Sequence, residues 1–189
     1  MELVEQEFIQ QSRQGDLEAF NQLVALYQRP VYNLALRMLG HPATAEDVAQ
    51  EVFLAAYRAL PRYREGSFRA WLFAITANAS RDALRKQKRR PEISLEASVE
   101  ESGLQTPSSM PSPEEYALSR ETQREVQQAL SRLSHDHRTV ILLVDLEGLD
   151  YQEAAQALGV SLGTLKSRLS RARAQLKEHL MARRGTLEP

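Results

Sequence analysis

The chain has 189 residues, 42% of them hydrophobic, with a formal net charge of −1, which allows one ordinary domain or two small ones. It contains no cysteine, and that excludes a disulfide framework, a thiol nucleophile and a thiolate zinc site. No apolar run approaches the length of a membrane span, and the opening MELVEQEFIQQ lacks the basic-then-apolar pattern of a secretory signal, so a cytoplasmic protein without membrane insertion is expected.

In chain order, Phe20, Leu23, Val24, Tyr27, Val31, Leu34 and Met38 recur at helical spacing. Pro30 lies inside that pattern and predicts a kink or local break, and Gly40 and Pro42 predict its end. Thr44 with Asp47 resembles a capping box opening a helix to about Leu60, with Val48, Ala49, Val52, Phe53, Ala56 and Leu60 as its core stripe. The next helix is expected from near Ser67 to Arg90, where Pro91 marks a boundary, with Leu72, Ile75, Ala79 and Ala83 inward.

The segment PEISLEASVEESGLQTPSSMPSP is rich in Pro, Ser and Glu and has no sustained periodicity, the composition of a mobile linker. It divides an N-terminal domain at residues 1–90 from a C-terminal one at 113–182, with the linker at 91–112 and a tail at 183–189. Ser112, Pro113 and Glu114 supply a cap, a first-turn proline and an acid for the next helix. Its expected buried stripe is Leu118, Thr122, Val126, Leu130 and Leu133. A further helix over about Asp136 to Glu147 carries Val140, Ile141 and Val144 and ends at Gly148. No alternating strand pattern is evident, so the fold expected is all-α: two small helical domains joined by a flexible acidic linker.

The near-neutral total hides segregated charge. Residues 81–90 hold six bases against Asp82, a net +5; residues 159–184 hold seven bases against Glu178, a net +6; residues 91–112 hold four acids and no base. One basic run is ordinarily a solvated face, but two separated by an acidic stretch suggest polyanion binding at two places.

The run YQEAAQALGVSLGTLKSRLSRARAQL, Tyr151 to Leu176, accounts for both helices of a helix-turn-helix and for the turn between them. Asp150 can cap a helix from Tyr151 to Leu158, Gly159 suits the reversal, and Ser161 can cap the second helix. Ala154, Ala155, Leu158, Val160, Leu165 and Leu169 fit the inner faces. Lys166, Ser167, Ser170 and Arg171 share one outward face, with side chains able to bond base edges; Arg168 and Arg173 are expected at phosphates. The alternative, a helical hairpin with a charged surface, explains fewer of these features.

In the N-terminal half, Asp47, Gln50, Glu51, Leu54 and Arg58 form an acidic face with an apolar residue in its middle, which suits a protein partner or a solvated surface. Trp71, Asn78, Arg81 and Arg85 share a flank where tryptophan can stack on an unpaired base or pack as core. The basic run beyond them continues as a phosphate track.

TAEDVAQEVFLAAYRAL, FRAWLFAITANASRDALRKQKR and YQEAAQALGVSLGTLKSRLSRAR together resemble the signature blocks of the extracytoplasmic-function (ECF) sigma factors, the minimal two-domain class of bacterial sigma factors. The resemblance spans nearly the whole chain. It implies docking on the clamp helices of the polymerase β′ subunit through Asp47, Gln50, Glu51, Phe53 and Leu54. It implies opening and capture of the proximal promoter element by the loop Arg62 to Phe68, in which Arg62, Tyr63, Arg64 and Phe68 are the candidates, together with Trp71, Asn78, Arg81 and Arg85. The C-terminal domain would read the distal element with Lys166, Ser167, Ser170 and Arg171, supported by Arg168 and Arg173, and would meet the β flap. The acidic linker would thread the polymerase near the path of nascent RNA. An anti-sigma protein is a further implied partner, and the free chain is expected to be a monomer. Two departures stand out: the loop YREGSF is short, and Ser134 stands where the family often has proline.

The only histidines are His41, His135, His137 and His179. The pair at 135 and 137 does not furnish a metal shell, and no phosphate-cradling glycine loop or nucleophile motif is present, so no enzyme, metal or cofactor is expected. The rival reading is a dimeric helix-turn-helix regulator working without polymerase, but only AQLKEHLMARRGTLEP follows the recognition helix, too short for a sensory or dimerisation domain. A third is a polymerase-binding antagonist that opens no promoter.

Overall fold

The computed structural model describes residues 2–64, 66–89 and 113–184. The acidic linker, its Ser112 cap, Glu65 in the short loop and the end of the tail lie outside the described residues. Within them the fold is all-α, with four helices in each of two small domains.

The N-terminal domain comprises α1 (Glu2–Arg13), α2 (Leu17–Leu39), α3 (Pro42–Ala59), a 3-10 turn (Leu60–Arg62) and α4 (Phe68–Arg89). Asp16 caps α2 by accepting from the Ala19 amide at 3.1 Å. The helix ends at Gly40, whose φ of 76° places it in the left-handed region where a side chain is disfavoured. The expected break at Pro30 is absent: α2 runs unbroken through it. Proline removes one intrahelical hydrogen bond, but Tyr27, Val31, Leu34 and Ala35 on either side are buried, and their packing holds the helix across the gap.

The start of α3 also differs from expectation. Pro42, expected to end a helix, occupies the first turn of the next, and His41 is the cap, its Nδ1 accepting from the Thr44 amide at 3.4 Å. Proline suits that position because its missing N–H would have no intrahelical partner. Ala45, Val48, Ala49, Val52 and Ala56 are buried and seat α3 on α2 and α4. Ser67 opens α4 by accepting from the Ala70 amide at 3.2 Å.

The C-terminal domain comprises α5 (Pro113–Arg132), α6 (His135–Ile141), a π-helical turn (Leu142–Leu146), α7 (Tyr151–Ala157) and α8 (Leu162–Arg184). In α5, Leu130 is buried and Val126 partly so, with Leu133 buried just beyond its end, whereas Thr122 is exposed, not part of the stripe; Ala129 is buried instead. Ser134 caps α6 through the His137 amide, so serine serves this turn without proline.

One hydrophobic core runs through both domains, from Leu23, Leu34, Met38 and Phe73 to Leu130, Ile141, Leu143, Leu165 and Leu169. The two halves are packed against each other, a relationship that composition did not disclose.

Candidate nucleic-acid and polymerase interface

The helix-turn-helix is built by local chemistry. Asp150 accepts from the Gln152 and Glu153 amides at 2.7 and 2.8 Å, while Glu153 accepts from the Asp150 amide at 3.1 Å. This reciprocal box satisfies donors that α7 itself cannot. Gly159 has φ 63°, and Ser161 caps α8 through the Thr164 amide at 3.1 Å. Ala154, Ala155, Leu165, Leu169 and Ala172 are buried between the helices.

That packing turns Lys166, Ser167, Ser170 and Arg171 to solvent together, the outward face expected of a recognition helix. Arg168 and Arg173 are placed differently. Arg168 is half-buried and lies 3.6 Å from Asp136. Arg173 is held on both carboxylate oxygens of Asp145, at 3.0 and 2.5 Å, and that pairing raises its pKa further above the ordinary arginine value. In this arrangement both arginines brace α8 against α6 and the π-helical turn.

On α3, Asp47, Gln50, Glu51 and Leu54 are exposed, Leu54 by 60%, and Phe53 is partly buried against the core. The result is an acidic strip with one protruding leucine.

The turn leading into α4 is organised by aromatic rings. Tyr63 packs against Phe68 and Trp71 with centroids 5.6 and 4.9 Å apart, Phe68 against Trp71 at 5.4 Å, and Tyr27 against Phe68 at 5.6 Å. Phe68 is only 4% exposed, so it supports the loop from below; Trp71 and Tyr63 remain partly accessible. The Tyr63 hydroxyl donates to the Gly66 carbonyl at 2.7 Å, which closes the loop on itself. Burial, with the nearby Glu5 carboxylate, raises the Tyr63 pKa. Arg62 and Arg64 are exposed beside this cluster, and Asn78, Arg81 and Arg85 are exposed along α4.

Three polar groups at the domain seam had no sequence signal. Arg138 is 7% exposed and donates to the carbonyls of Leu130, Ser131 and Leu133 and, across the seam, of Met38; burial lowers its pKa. Glu147 meets Arg69 at 3.3 Å, and burial raises its pKa even though Arg69 and Arg37 oppose that shift. His135 Nε2 lies 3.1 Å from the Ala77 carbonyl and its Nδ1 accepts from Arg81 at 3.2 Å. A neutral ring carrying its proton on Nε2 satisfies both contacts.

Comparison with known proteins agrees with this architecture. The Sigma-70 region 2 family model matches residues 23–90, and the Sigma-70, region 4 model matches residues 123–176. The chain is 36% identical to the ECF RNA polymerase sigma factor SigE of Mycolicibacterium smegmatis, over 88% of this chain and 63% of that protein. It is 34% identical to the ECF RNA polymerase sigma factor SigW of Bacillus subtilis, over 95% of this chain and 98% of that protein. Among solved structures, the sigma factor RpoE of Bartonella quintana, crystallised with the anti-sigma factor NepR, superposes with a TM-score of 0.66 at 27% identity, covering 87% of this chain and 98% of that one. With both domains matched in order and a full-length relative above 30% identity, the chain belongs to the ECF RNA polymerase sigma factors.

Proposed function

We propose that this chain, as a sigma factor, joins core RNA polymerase and directs it to promoters through two DNA-reading surfaces held on one polypeptide. The division of labour follows the domain limits 1–90, 91–112, 113–182 and 183–189. The exposed α3 strip of Asp47, Gln50, Glu51 and Leu54, with Phe53 beneath it, docks on the β′ clamp helices; the C-terminal domain meets the β flap. Lys166, Ser167, Ser170 and Arg171 read the distal, −35 element in the major groove. Arg62, Tyr63, Arg64, Trp71, Asn78, Arg81 and Arg85 engage the melted proximal, −10 element, with Phe68 supporting the aromatic platform on which an unpaired base can stack. Arg168 and Arg173 act as positioning residues for α8 and reach phosphates only when released from their carboxylates.

The chain catalyses no reaction itself, uses no metal or cofactor, and works in the cytoplasm, where the polymerase is. Among the described residues no helix is long and apolar enough to cross a membrane. An anti-sigma protein is its regulatory partner, and the free chain is a monomer.

The observation carrying this reading is the joint exposure of Lys166, Ser167, Ser170 and Arg171 on a capped helix, in a chain that also carries region 2. Each small surface gives a modest affinity, and linkage through polymerase multiplies them. The test is binding of the monomeric chain to sigma-free core polymerase, with promoter binding measured with and without core. Tight one-to-one core binding and core-dependent promoter specificity are expected. Specific nanomolar duplex binding by a dimer without core would reverse the conclusion.

A further inference from the structure

Glu5 of α1 lies before the span matched by the region 2 family model, which begins at residue 23, yet it is joined to the aromatic cluster at the start of α4. Its partly buried carboxylate accepts from the Tyr27 hydroxyl at 2.7 Å. The Tyr27 ring, 9% exposed, meets Phe68 edge to face with centroids 5.6 Å apart. Phe68 is in turn the ring on which both Tyr63 and Trp71 pack. α1 is seated on α2 and on the Leu60–Arg62 turn, with Ile9 buried in the common core. Burial, and after it the bond to Glu5, raise the Tyr27 pKa above its ordinary value, so the hydroxyl stays protonated and donates.

We propose that Glu5 is a positioning residue for recognition of the melted strand: through Tyr27 and Phe68 it fixes the rings of Tyr63 and Trp71 in the pose that receives an unpaired base. The inference rests on the proximal-element role given above to those two rings. Base stacking depends on the tilt and offset of the receiving ring, and Phe68 sets both for its neighbours. A phenol ring held by packing alone can rock, whereas one tethered at its hydroxyl cannot. A carboxylate acceptor makes that tether charge-assisted and stronger than a neutral one. Removing the acceptor leaves a buried hydroxyl to find another partner, and the Tyr27 ring moves with it. The rings then hold the receiving pose for a smaller fraction of the time, and capture of the melted strand weakens by that fraction. Core docking and distal reading belong to α3 and α8, so they are left as they are.

Trp71 is the sole tryptophan of the chain, so its emission reports the ring cluster in the free full-length protein. Glu5→Ala and Tyr27→Phe are each expected to raise acrylamide quenching of Trp71. Holoenzymes formed from the same chains and core polymerase are then equilibrated with bubble templates whose melted non-template segment is randomised, and bound and free pools are sequenced. Enrichment of the preferred melted bases is expected to fall about threefold or more for either variant. It should fall no further when the two are combined, because they break one contact. Glu5→Gln, which keeps a neutral acceptor, should lie between the native chain and Glu5→Ala. Glu7→Ala, which removes an exposed carboxylate from the same helix, should match the native chain. Core affinity and base preference in a duplex distal-element pool should be unchanged throughout.

Native enrichment in both Glu5→Ala and Tyr27→Phe would overturn the positioning role. So would losses that add in the double variant, an equal loss with Glu7→Ala, or losses shared by core affinity and distal preference, which mark general destabilisation. A native holoenzyme without preference in the melted pool would instead remove the proximal-element reading of the rings, and Trp71 quenching would still decide whether Glu5 sets their pose.

Discussion

Arg138 of α6 donates to the carbonyl of Met38, one hundred residues earlier in the chain, in the last turn of α2. Its other contacts go to the Leu130 and Ser131 carbonyls in the last turn of α5 and to that of Leu133 just beyond it. A single guanidinium thus serves the carbonyl-rich ends of two helices from two domains, where the helix dipoles favour a cation. Gln127 adds a bond to the Arg37 carbonyl at 3.1 Å, and the Thr139 hydroxyl a contact to the Met38 sulfur, so several groups tie the end of α2 to the C-terminal domain.

Arg138→Ala should therefore lower stability by about 2–3 kcal/mol, because buried carbonyls lose a charged donor. Arg138→Lys should recover only part of this, since an ammonium cannot span the fork of acceptors. Chemical denaturation followed by circular dichroism checks both; a loss below 0.5 kcal/mol, roughly the scale of a surface change, would contradict the contact.

Arg171 and Arg173 are two residues apart but should behave differently. Arg171→Ala should cost about 1–3 kcal/mol on the preferred distal element and relax sequence preference there. Arg173→Ala should leave base preference unchanged and lower stability by about 1 kcal/mol or less, because its pairing with Asp145 is half-exposed and solvent-screened. Holoenzyme binding to a panel of single-base promoter variants separates the two outcomes. Equal losses on every variant for Arg171→Ala would make it a phosphate contact.

The leucine at the centre of the α3 strip gives a third expectation. Leu54→Glu should weaken core binding at least about tenfold, roughly 1.4 kcal/mol, with little change in melting temperature because Leu54 is 60% exposed. Val52→Asp, at a position with no exposure, should unfold the domain by burying a charge. Core affinity by fluorescence anisotropy, beside thermal melts, tells interface from core.

Acid should loosen the domain seam through His135. Burial is the largest influence lowering its pKa below the ordinary 6.5, and Arg81 adds to it, while the Ala77 carbonyl and Asp136 oppose it. The groups around it are Arg81 from α4, the Thr139 hydroxyl and Asp136 on its own helix, and Arg168 from α8 beyond Asp136. The unfolded ring takes up a proton before the folded one does, so stability is full above 6.5 and falls as the pH drops from there through the lowered folded value. His135→Gln should flatten that dependence. Melting temperatures of both chains between pH 7.5 and 5.5 provide the measurement; parallel slopes would clear His135.

Local features were legible in the sequence because their causes lie within a few residues. The Asp150 cap, the Gly159 reversal and the Ser161 cap each join groups two or three positions apart, and the apolar period of α7 and α8 turned Lys166, Ser167, Ser170 and Arg171 outward together. Where a local signal had a competitor, position alone misled: Pro30 sits inside an intact helix because neighbouring side chains bury around it, and His41 caps α3 in place of the Thr44 pattern. The tertiary structure alone decided what charge patterns cannot encode, which is partner choice across long separations. Arg81 meets Asp136 over 55 positions and Arg69 meets Glu147 over 78; from sequence each is simply one charge on a helix face, with many candidate partners. Chain folding selects among them by burying Leu23, Met38, Phe73, Ile141 and Leu143 in one continuous core, which sets the distance between α4 and α8 and leaves the Asp136 carboxylate between them.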